Sequence, residues 1–531
     1  MSAPSIRSVT RKRLAASLLP LLALGAPGAQ PALAGESAGT LGPVHVHVRA
    51  ITATKHSPSV SAALKELLGS GAITTSSYSR YYAAYVAAKH TLGKLSGTRR
   101  SELGAVLGNV QAIAAAGEFT PSRLPALFLT LERNRQWWTT EPLIANGERV
   151  SFPPSKLVWE YYAGQGIQIQ WLGTFGEGNG YYLSGHENAN LRQLVQEVIP
   201  LATKRAGGIA WEYFFHFDGG SPPWTSGLSQ GTALQVLTRA GTRLKEPAFI
   251  AAAQQALGIF EQAPPQGVRV MTAAGALYAE YTYAPGDRIL NGFIQALVGL
   301  YDYTALTKDP LGLALFEAGD AEARVLVPHY DTGAWSLYDQ FGESNLNYHE
   351  LLTEFLQHLC ERTRNGPPIA PAPPAPTSTS TTTTPTTSTP APTETSPTGG
   401  TGPAASAAAT SSTQIAGDQI YCTTAQHFQE DLATPPVLSL LSRTLRGGTR
   451  AGVQISLSKI STVKLTVRKG SRVLWSNTAT LSRGRPRLLW VTPASGGTFT
   501  VTITASDLAG NFTTHTGTIV VSRRLDGGSR A

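Results

Sequence analysis

The chain is poor in cysteine, and no apolar run in it reaches the ~20 residues that a bilayer-spanning helix needs. A membrane span is therefore not expected. HExxH, P-loop and paired CxxC signatures are also missing, which sets aside zincin-type hydrolysis, nucleotide chemistry and thiol-redox chemistry. Eleven histidines are scattered along the sequence. His45 and His47 read as ordinary strand or loop residues rather than metal ligands. No metal, cofactor or nucleic-acid partner is expected. Cys360 and Cys422 are the two cysteines. An even, sparse count in an exported chain points to one disulfide rather than a metal site.

What is present starts at the N-terminus. Arg7, Arg11, Lys12 and Arg13 precede an apolar stretch from Leu14 to Leu24, and Ala32-Leu33-Ala34 supplies a small-x-small site. This pattern is a secretory signal peptide over residues 1–34, cleaved near Ala34 and Gly35. A secreted or cell-surface protein follows. The net charge of +9 is unevenly spread: from Thr434 onward 14 Lys and Arg meet 2 Asp and Glu, whereas residues 36–433 are acidic, at −7. A basic C-terminal module favours polyanions such as acidic glycans or cell-wall polymers, or serves solubility alone.

Hydrophobic periodicity divides the rest. Tyr81–Leu95 and Ser101–Ala116 repeat apolar residues at three and four, Gly97 and Gly117 punctuate them, and Thr120-Pro121-Ser122 restarts a helix. Residues 35–141 thus read as a helical scaffold. Over 142–365, aromatic-rich loops alternate with helices at Glu187–Ala206, Thr232–Leu244, Pro247–Gln262, Leu290–Thr307 and Leu311–Val327. Turn-formers cluster at Gly176 to Gly180, Asp218 to Gly220 and Pro285 to Asp287. Helices joined by functional loops suggest an incomplete (α/α) toroid whose loops line a cleft at one end. Residues 366–415 are a Pro/Thr/Ser-rich tract with Glu394 as its only charge, too polar to bury a core. A short helix, Thr424–Ala433, follows within 416–433. From residue 434 the period changes to two, as in Val453 to Leu457, Val463 to Val467, Thr498 to Thr504 and Thr518 to Val521. Such strands between Gly, Ser and Pro turns argue an all-β, immunoglobulin-like sandwich of about ninety residues in 434–531. Asp507 to Asn511 looks like its last turn. Asn511-Phe512-Thr513 also fits a glycosylation sequon, but reads as part of that turn.

What remains for chemistry is aromatic residues, amides and carboxylates on loops, which suits sugar binding. Three segments carry a resemblance. The first runs from Trp224 to Gly231 and on to Leu237-Thr238-Arg239-Ala240. The second is Glu280-Tyr281 with Pro285, leading into Leu290-Asn291-Gly292-Phe293 and Gly299-Leu300-Tyr301-Asp302. The third is Tyr330-Asp331-Thr332-Gly333, then Leu337-Tyr338-Asp339 and Asn347-Tyr348-His349. In order and spacing, across about residues 150–365, they resemble the C-terminal domain of the D-glucuronyl C5-epimerases. Those enzymes convert glucuronate to iduronate within heparan-type chains.

Such a reaction removes the weakly acidic C5 proton beside the uronate carboxylate and returns one on the other face. It needs an acid/base group on each face, and donors or a cation at the carboxylate. A tyrosine held as tyrosinate, or a desolvated glutamate, fits the base. The resemblance carries catalytic roles to Glu280, Tyr281, Tyr338 and Tyr348. Glu280 and one of Tyr338 or Tyr348 would be the opposed acid/base pair, with Tyr281 orienting the uronate. Gln168, Gln170, Trp171, Trp224, Gln230 and Asn291 are candidate subsite groups. In animal-type members an Arg closely follows the Tyr-Asp of the third segment. Here the run is Tyr338-Asp339-Gln340-Phe341, so an anion clamp is absent or comes from elsewhere, for instance Arg288. The animal β-barrel domain is also replaced by the helical region 57–141.

The resemblance further implies that the Pro/Thr tract interrupts the helical domain. Cys360 and Cys422 would then pin its two ends, with Tyr421 to Gln429 belonging to the last helix. Three functions stay open: a uronate C5-epimerase, a polysaccharide lyase that starts from the same C5 carbanion, and a non-catalytic glycan- or wall-binding protein.

Overall fold

A computed structural model describes residues 58–368 and 414–523. The signal sequence, His45, His47 and most of the Pro/Thr tract lie outside the described residues. Four helices come first: α1 (Val60–Gly69), α2 (Thr75–Lys94), α3 (Gly97–Ala115) and α4 (Leu124–Thr140). Ser59 and Thr74 cap α1 and α2 by accepting backbone N–H bonds with their hydroxyls. Three short strands then form one sheet in chain order: β1 (Arg149–Val150), β2 (Trp159–Tyr162) and β3 (Gly166–Ile169).

The helical part continues with α5 (Trp171–Ser184), α6 (Asn188–Val198), a hairpin of β4 (Thr203–Arg205) and β5 (Gly208–Ala210), then α7 (Gly227–Leu244), α8 (Pro247–Ala256) and α9 (Gly258–Glu261). A second hairpin, β6 (Arg269–Met271) and β7 (Ala276–Tyr278), precedes α10 (Leu290–Thr307), α11 (Pro310–Leu326), α12 (Leu346–Thr363) and α13 (Gln414–Asp431). The helices α5, α7, α10 and α12 pack in a row, and each is followed by a helix that packs against it. The crossing of α7 and α10 is close because it is made of glycines. A Cβ on Gly231 would lie 2.5 Å from the Ala296 Cα, and one on Gly299 would lie 2.0 Å from the Gly231 carbonyl oxygen. All these elements, from Val60 to Phe428, share one hydrophobic core. Cys360 of α12 and Cys422 of α13 form a disulfide, with Cα atoms 4.9 Å apart. No described helix is long and apolar enough to cross a membrane.

Two expectations for this region need correction. Gly176 to Gly180 do not form a loop; they lie inside α5, where a Cβ on Gly178 would meet Val236 of α7 at 2.8 Å. Close packing, not turning, explains that glycine. The helix expected over Glu187–Ala206 ends at Val198, and Ala206 and Gly207, both at positive φ (54° and 77°), turn the chain into the β4–β5 hairpin.

The C-terminal region is β-rich. It comprises β8 (Leu438–Leu440), β9 (Thr444–Arg446), β10 (Arg450–Leu457), β11 (Ser461–Lys469), β12 (Arg472–Leu481), β13 (Arg487–Val491), β14 (Gly497–Asp507) and β15 (Phe512–Ser522). They make a three-stranded sheet, β13-β10-β8, and a five-stranded sheet, β12-β11-β14-β15-β9. Alternate residues of both sheets, such as Val453 and Ile455 or Val463 and Leu465, meet in a separate core. Asp507 and Asn511 close the β14–β15 turn, and the Asn511 amide also donates to the Leu432 carbonyl.

Candidate active site

Helix starts converge on one depression. Gln170 caps α5 by accepting from the Gly173 N–H, Ser226 caps α7, and Asn345 caps α12 by accepting from the Tyr348 N–H. A cavity of about 590 Å³ opens past Asn345, Tyr338 and Tyr348. It shares Tyr162, Phe217 and Tyr281 with a deeper recess of about 30 Å³ that reaches Gln170, Ser226 and Glu280. Helix N-termini carry partial positive charge and unpaired N–H groups, so this end of the helical row suits an anion.

Glu280 is held by the backbone around it. The Gly227 N–H donates to the Ala279 and Glu280 carbonyls, and the Thr282 N–H donates to the Thr225 carbonyl. These bonds lay the segment against the start of α7. Its carboxylate is 7 % exposed. Oε1 accepts from the Ser226 hydroxyl at 3.0 Å, while Oε2 has no hydrogen-bond partner. A Cβ at position 292 would sit 1.8 Å from Oε2, so the Asn-Gly-Phe start of α10 is where the carboxylate fits. Burial pushes the Glu280 carboxyl up to about 7, against the small opposing effect of the Ser226 bond.

The tyrosines gather on the outer side. Tyr338 sits in a turn whose ends bridge, Leu337 to Glu343, and its N–H donates to the Gly342 carbonyl. Tyr348 lies in the first turn of α12. The two rings are 4.6 Å apart. Their hydroxyls are hydrogen-bonded in a sense that lowers the Tyr348 pKa and raises that of Tyr338. Tyr281 stacks on Tyr283 at 5.2 Å and meets Trp224 edge-on at 5.7 Å. Burial pushes the Tyr281, Tyr338 and Tyr348 hydroxyls upward, and the nearby Glu280 adds to this in each. Among the described residues no lysine or arginine lines the cavity or the recess beside these hydroxyls. Of the two bases the sequence offered, a tyrosinate and a desolvated glutamate, these shifts favour the glutamate.

The proposed subsite groups divide. Gln170 and Trp224 line the recess, Trp224 stacked on Tyr213 at 4.3 Å. Gln168, Trp171 and Gln230 face the core instead. Their polar atoms bond to the carbonyls of Gln165, Glu212 and Trp211 respectively, which fixes backbone rather than ligand. Arg288 is exposed and does not line the cavity; its N–H donates to Gln340. Asn291 is buried at the start of α10, with its Oδ1 unpartnered, and does not line the cavity either. The sequence reading missed Tyr162, Ser226, Phe217 and Phe341. Phe341 is 82 % exposed at the cavity edge. Among the described residues, Asp331, His427 and Asp431 come close enough for a metal. Each carboxylate there faces a different nitrogen of His427, at 2.6 and 3.7 Å, and the bond to Asp331 raises the His427 pKa.

The profile of the family described as D-glucuronyl C5-epimerase C-terminus matches residues 206–368. That stretch holds Ser226, Glu280, Tyr281, Tyr338 and Tyr348. Residues 206–368 are thus similar to the C-terminal domain of that family. A D-glucuronyl C5-epimerase of Caenorhabditis elegans is 34 % identical over 131 residues, which cover 22 % of this chain and 21 % of that protein. An uncharacterized protein of Methanocaldococcus jannaschii is 26 % identical over 169 residues, covering 30 % of this chain and 55 % of that protein. The chain thus spans about a fifth to a half of the length of these relatives. The matched region contains α7 to α12, and so Glu280 and both later tyrosines, while Tyr162, Gln170 and Leu172 of the recess precede it.

Proposed function

We propose that the protein is a polysaccharide uronate C5-epimerase, an isomerase that inverts C5 of D-glucuronate within an acidic glycan. The observation that carries this reading is a desolvated carboxylate, Glu280, in a recess that adjoins the cavity lined by Tyr338 and Tyr348, at a convergence of helix N-termini. The Glu280 carboxylate accepts the C5 proton. The electron pair of the C5–H bond passes into the substrate carboxylate, where donors and helix N-termini stabilise the added charge. A phenol of the Tyr338–Tyr348 pair returns a proton to the other face, and Tyr281 orients the ring. Each turnover leaves Glu280 protonated and one tyrosine ionised, so a proton returns to the tyrosine before the next forward cycle. The row of helix pairs is read as an incomplete (α/α) toroid, and the β-rich region as an immunoglobulin-like sandwich. The protein is read as exported, which agrees with its disulfide.

Incubation with heparosan in deuterated buffer tests the function. Deuterium at C5 with iduronate formation is the expected result. An unsaturated uronate would instead mean lyase chemistry. Binding without exchange or elimination would reduce the protein to a glycan-binding role.

A further inference from the structure

Helix N-termini favour an anion in the recess, but the side chains at the cavity mouth carry the wrong charge for a polyanion. Asp218, Asp339 and Glu343 line that mouth, the Asp287 pKa is raised by burial and then by the nearby Asp339 and Asp218, and no lysine or arginine lines the cavity among the described residues. The net positive charge of this chain is in the β-rich region, and the structure brings that region to the mouth. Glu343, itself part of the cavity wall, accepts from the Ile460 N–H at 2.8 Å and from the Arg483 N–H at 2.9 Å. Those bonds set the loop between β12 and β13 at the rim. This loop reads Arg483-Gly484-Arg485-Pro486-Arg487, and all three arginines are exposed. The loop is fixed. Gly484 exchanges two backbone bonds with Leu457, and the Pro486 carbonyl accepts from Ile455. Its arginines therefore have a defined position beside an acidic mouth, where Glu343 is spent on backbone donors and leaves their guanidinium groups to solvent and ligand.

We infer that the β12–β13 loop, through Arg483 and Arg485, is an anion-binding wall of the cleft, holding carboxylates of uronate units next to the one in the recess. This rests on the uronate-polymer reading above, but it concerns binding and not C5 chemistry. Guanidinium groups take carboxylates in a planar fork, which suits a repeating uronate. The β-rich region would then be part of the substrate site rather than a tether.

The test uses the full-length chain and fluorescently labelled heparosan oligosaccharide. Arg483→Gln/Arg485→Gln is compared with Arg468→Gln/Lys469→Gln, which removes the same charge from exposed positions at the other end of β11. The loop pair is expected to weaken binding at least about tenfold and to flatten its salt dependence between about 50 and 200 mM NaCl. The distal pair is expected to change binding less than about twofold. Equal losses from both pairs would reduce the effect to net charge, and no loss from the loop pair would remove the wall; either overturns the inference. Both variants should keep the wild-type melting temperature. Deuterium exchange is measured separately, so loop-dependent binding without any exchange would overturn the epimerase reading and leave this one standing.

Discussion

Glu280 has one hydrogen bond for two buried oxygens, and this makes it both reactive and costly. Its pKa of about 7 lies above the 4.5 of a free glutamate. Because the folded value is the higher, folding favours the protonated form. Its stabilising effect is complete below pH 4.5 and is lost as pH rises through about 7. The loss is on the order of 3 kcal/mol, and Glu160, also pushed up to about 7 by burial, adds a comparable slope. Glu280→Gln should therefore be less pH-sensitive than wild type in urea unfolding between pH 5 and 8, while exchange at C5 falls by roughly 10²–10⁴. An unchanged pH slope would show that the carboxylate is already hydrated. Tyr338→Phe removes the donor that lowers the Tyr348 pKa. It should slow exchange by at least about 10² and move the alkaline limb of the rate profile upward, with little change in melting temperature. The candidate carboxylate and tyrosines were named from the order of the three resembling segments, and the fold brings them to adjoining cavities. The amides and aromatics were legible only in part. Gln230 and Gln170 are chemically alike, and only the fold decides that one grips the Trp211 backbone and the other caps a helix at the recess.

At the level of elements, helix positions followed from apolar spacing, and Gly97 and Gly117 do break helices, but Gly176 to Gly180 were read with the wrong physics. Glycines usually mark turns, yet Gly178, Gly231 and Gly299 are contact points inside helices. That role depends on a neighbouring helix, which local sequence does not display. Gly299→Ala would push a methyl into the Gly231 carbonyl. It should cost at least the 1–3 kcal/mol typical of overpacking, seen as a lower urea midpoint, and part α7 from α10. If the variant matched wild type, the crossing would be looser than described. The β2–β3 and β4–β5 hairpins escaped detection because their strands are three or four residues long, too short for period two to emerge. The disulfide joins α12, which carries Tyr348, to α13 across a sequence separation of 62. Reduction should lower stability by about 4 kcal/mol in the chain-entropy account. Urea unfolding with and without reductant measures this.

On the scale of the whole molecule, the helical core and the β-rich core are separate, but a buried charge fastens them together. The Lys459 side chain is 1 % exposed. Its ammonium donates to the carbonyls of Asp431 and Thr434 and pairs with Asp507 at 2.8 Å, 5.2 Å from the Trp335 ring centre. Trp335 stacks on His349 at 3.7 Å, one residue from Tyr348, and its indole N–H donates to the Ser344 carbonyl. Sequence alone segregated the charge of the two regions without locating this lysine, since nothing local separates it from the exposed lysines around it. The strand-end position that buries Lys459 exists only once α13 and the β14–β15 turn have met. Lys459→Met keeps the apolar stem but leaves the Asp507 carboxylate buried and unpaired, which costs roughly 3–5 kcal/mol. The expected result is a calorimetric melt that splits in two, with the β-rich region unfolding first, together with slower C5 exchange as the Tyr338–Tyr348 turn loses its support. The double variant Lys459→Met/Asp507→Leu should recover much of the melting temperature, because no lone charge then remains buried. A single, unshifted transition in Lys459→Met would mean that the two regions unfold together without this lysine.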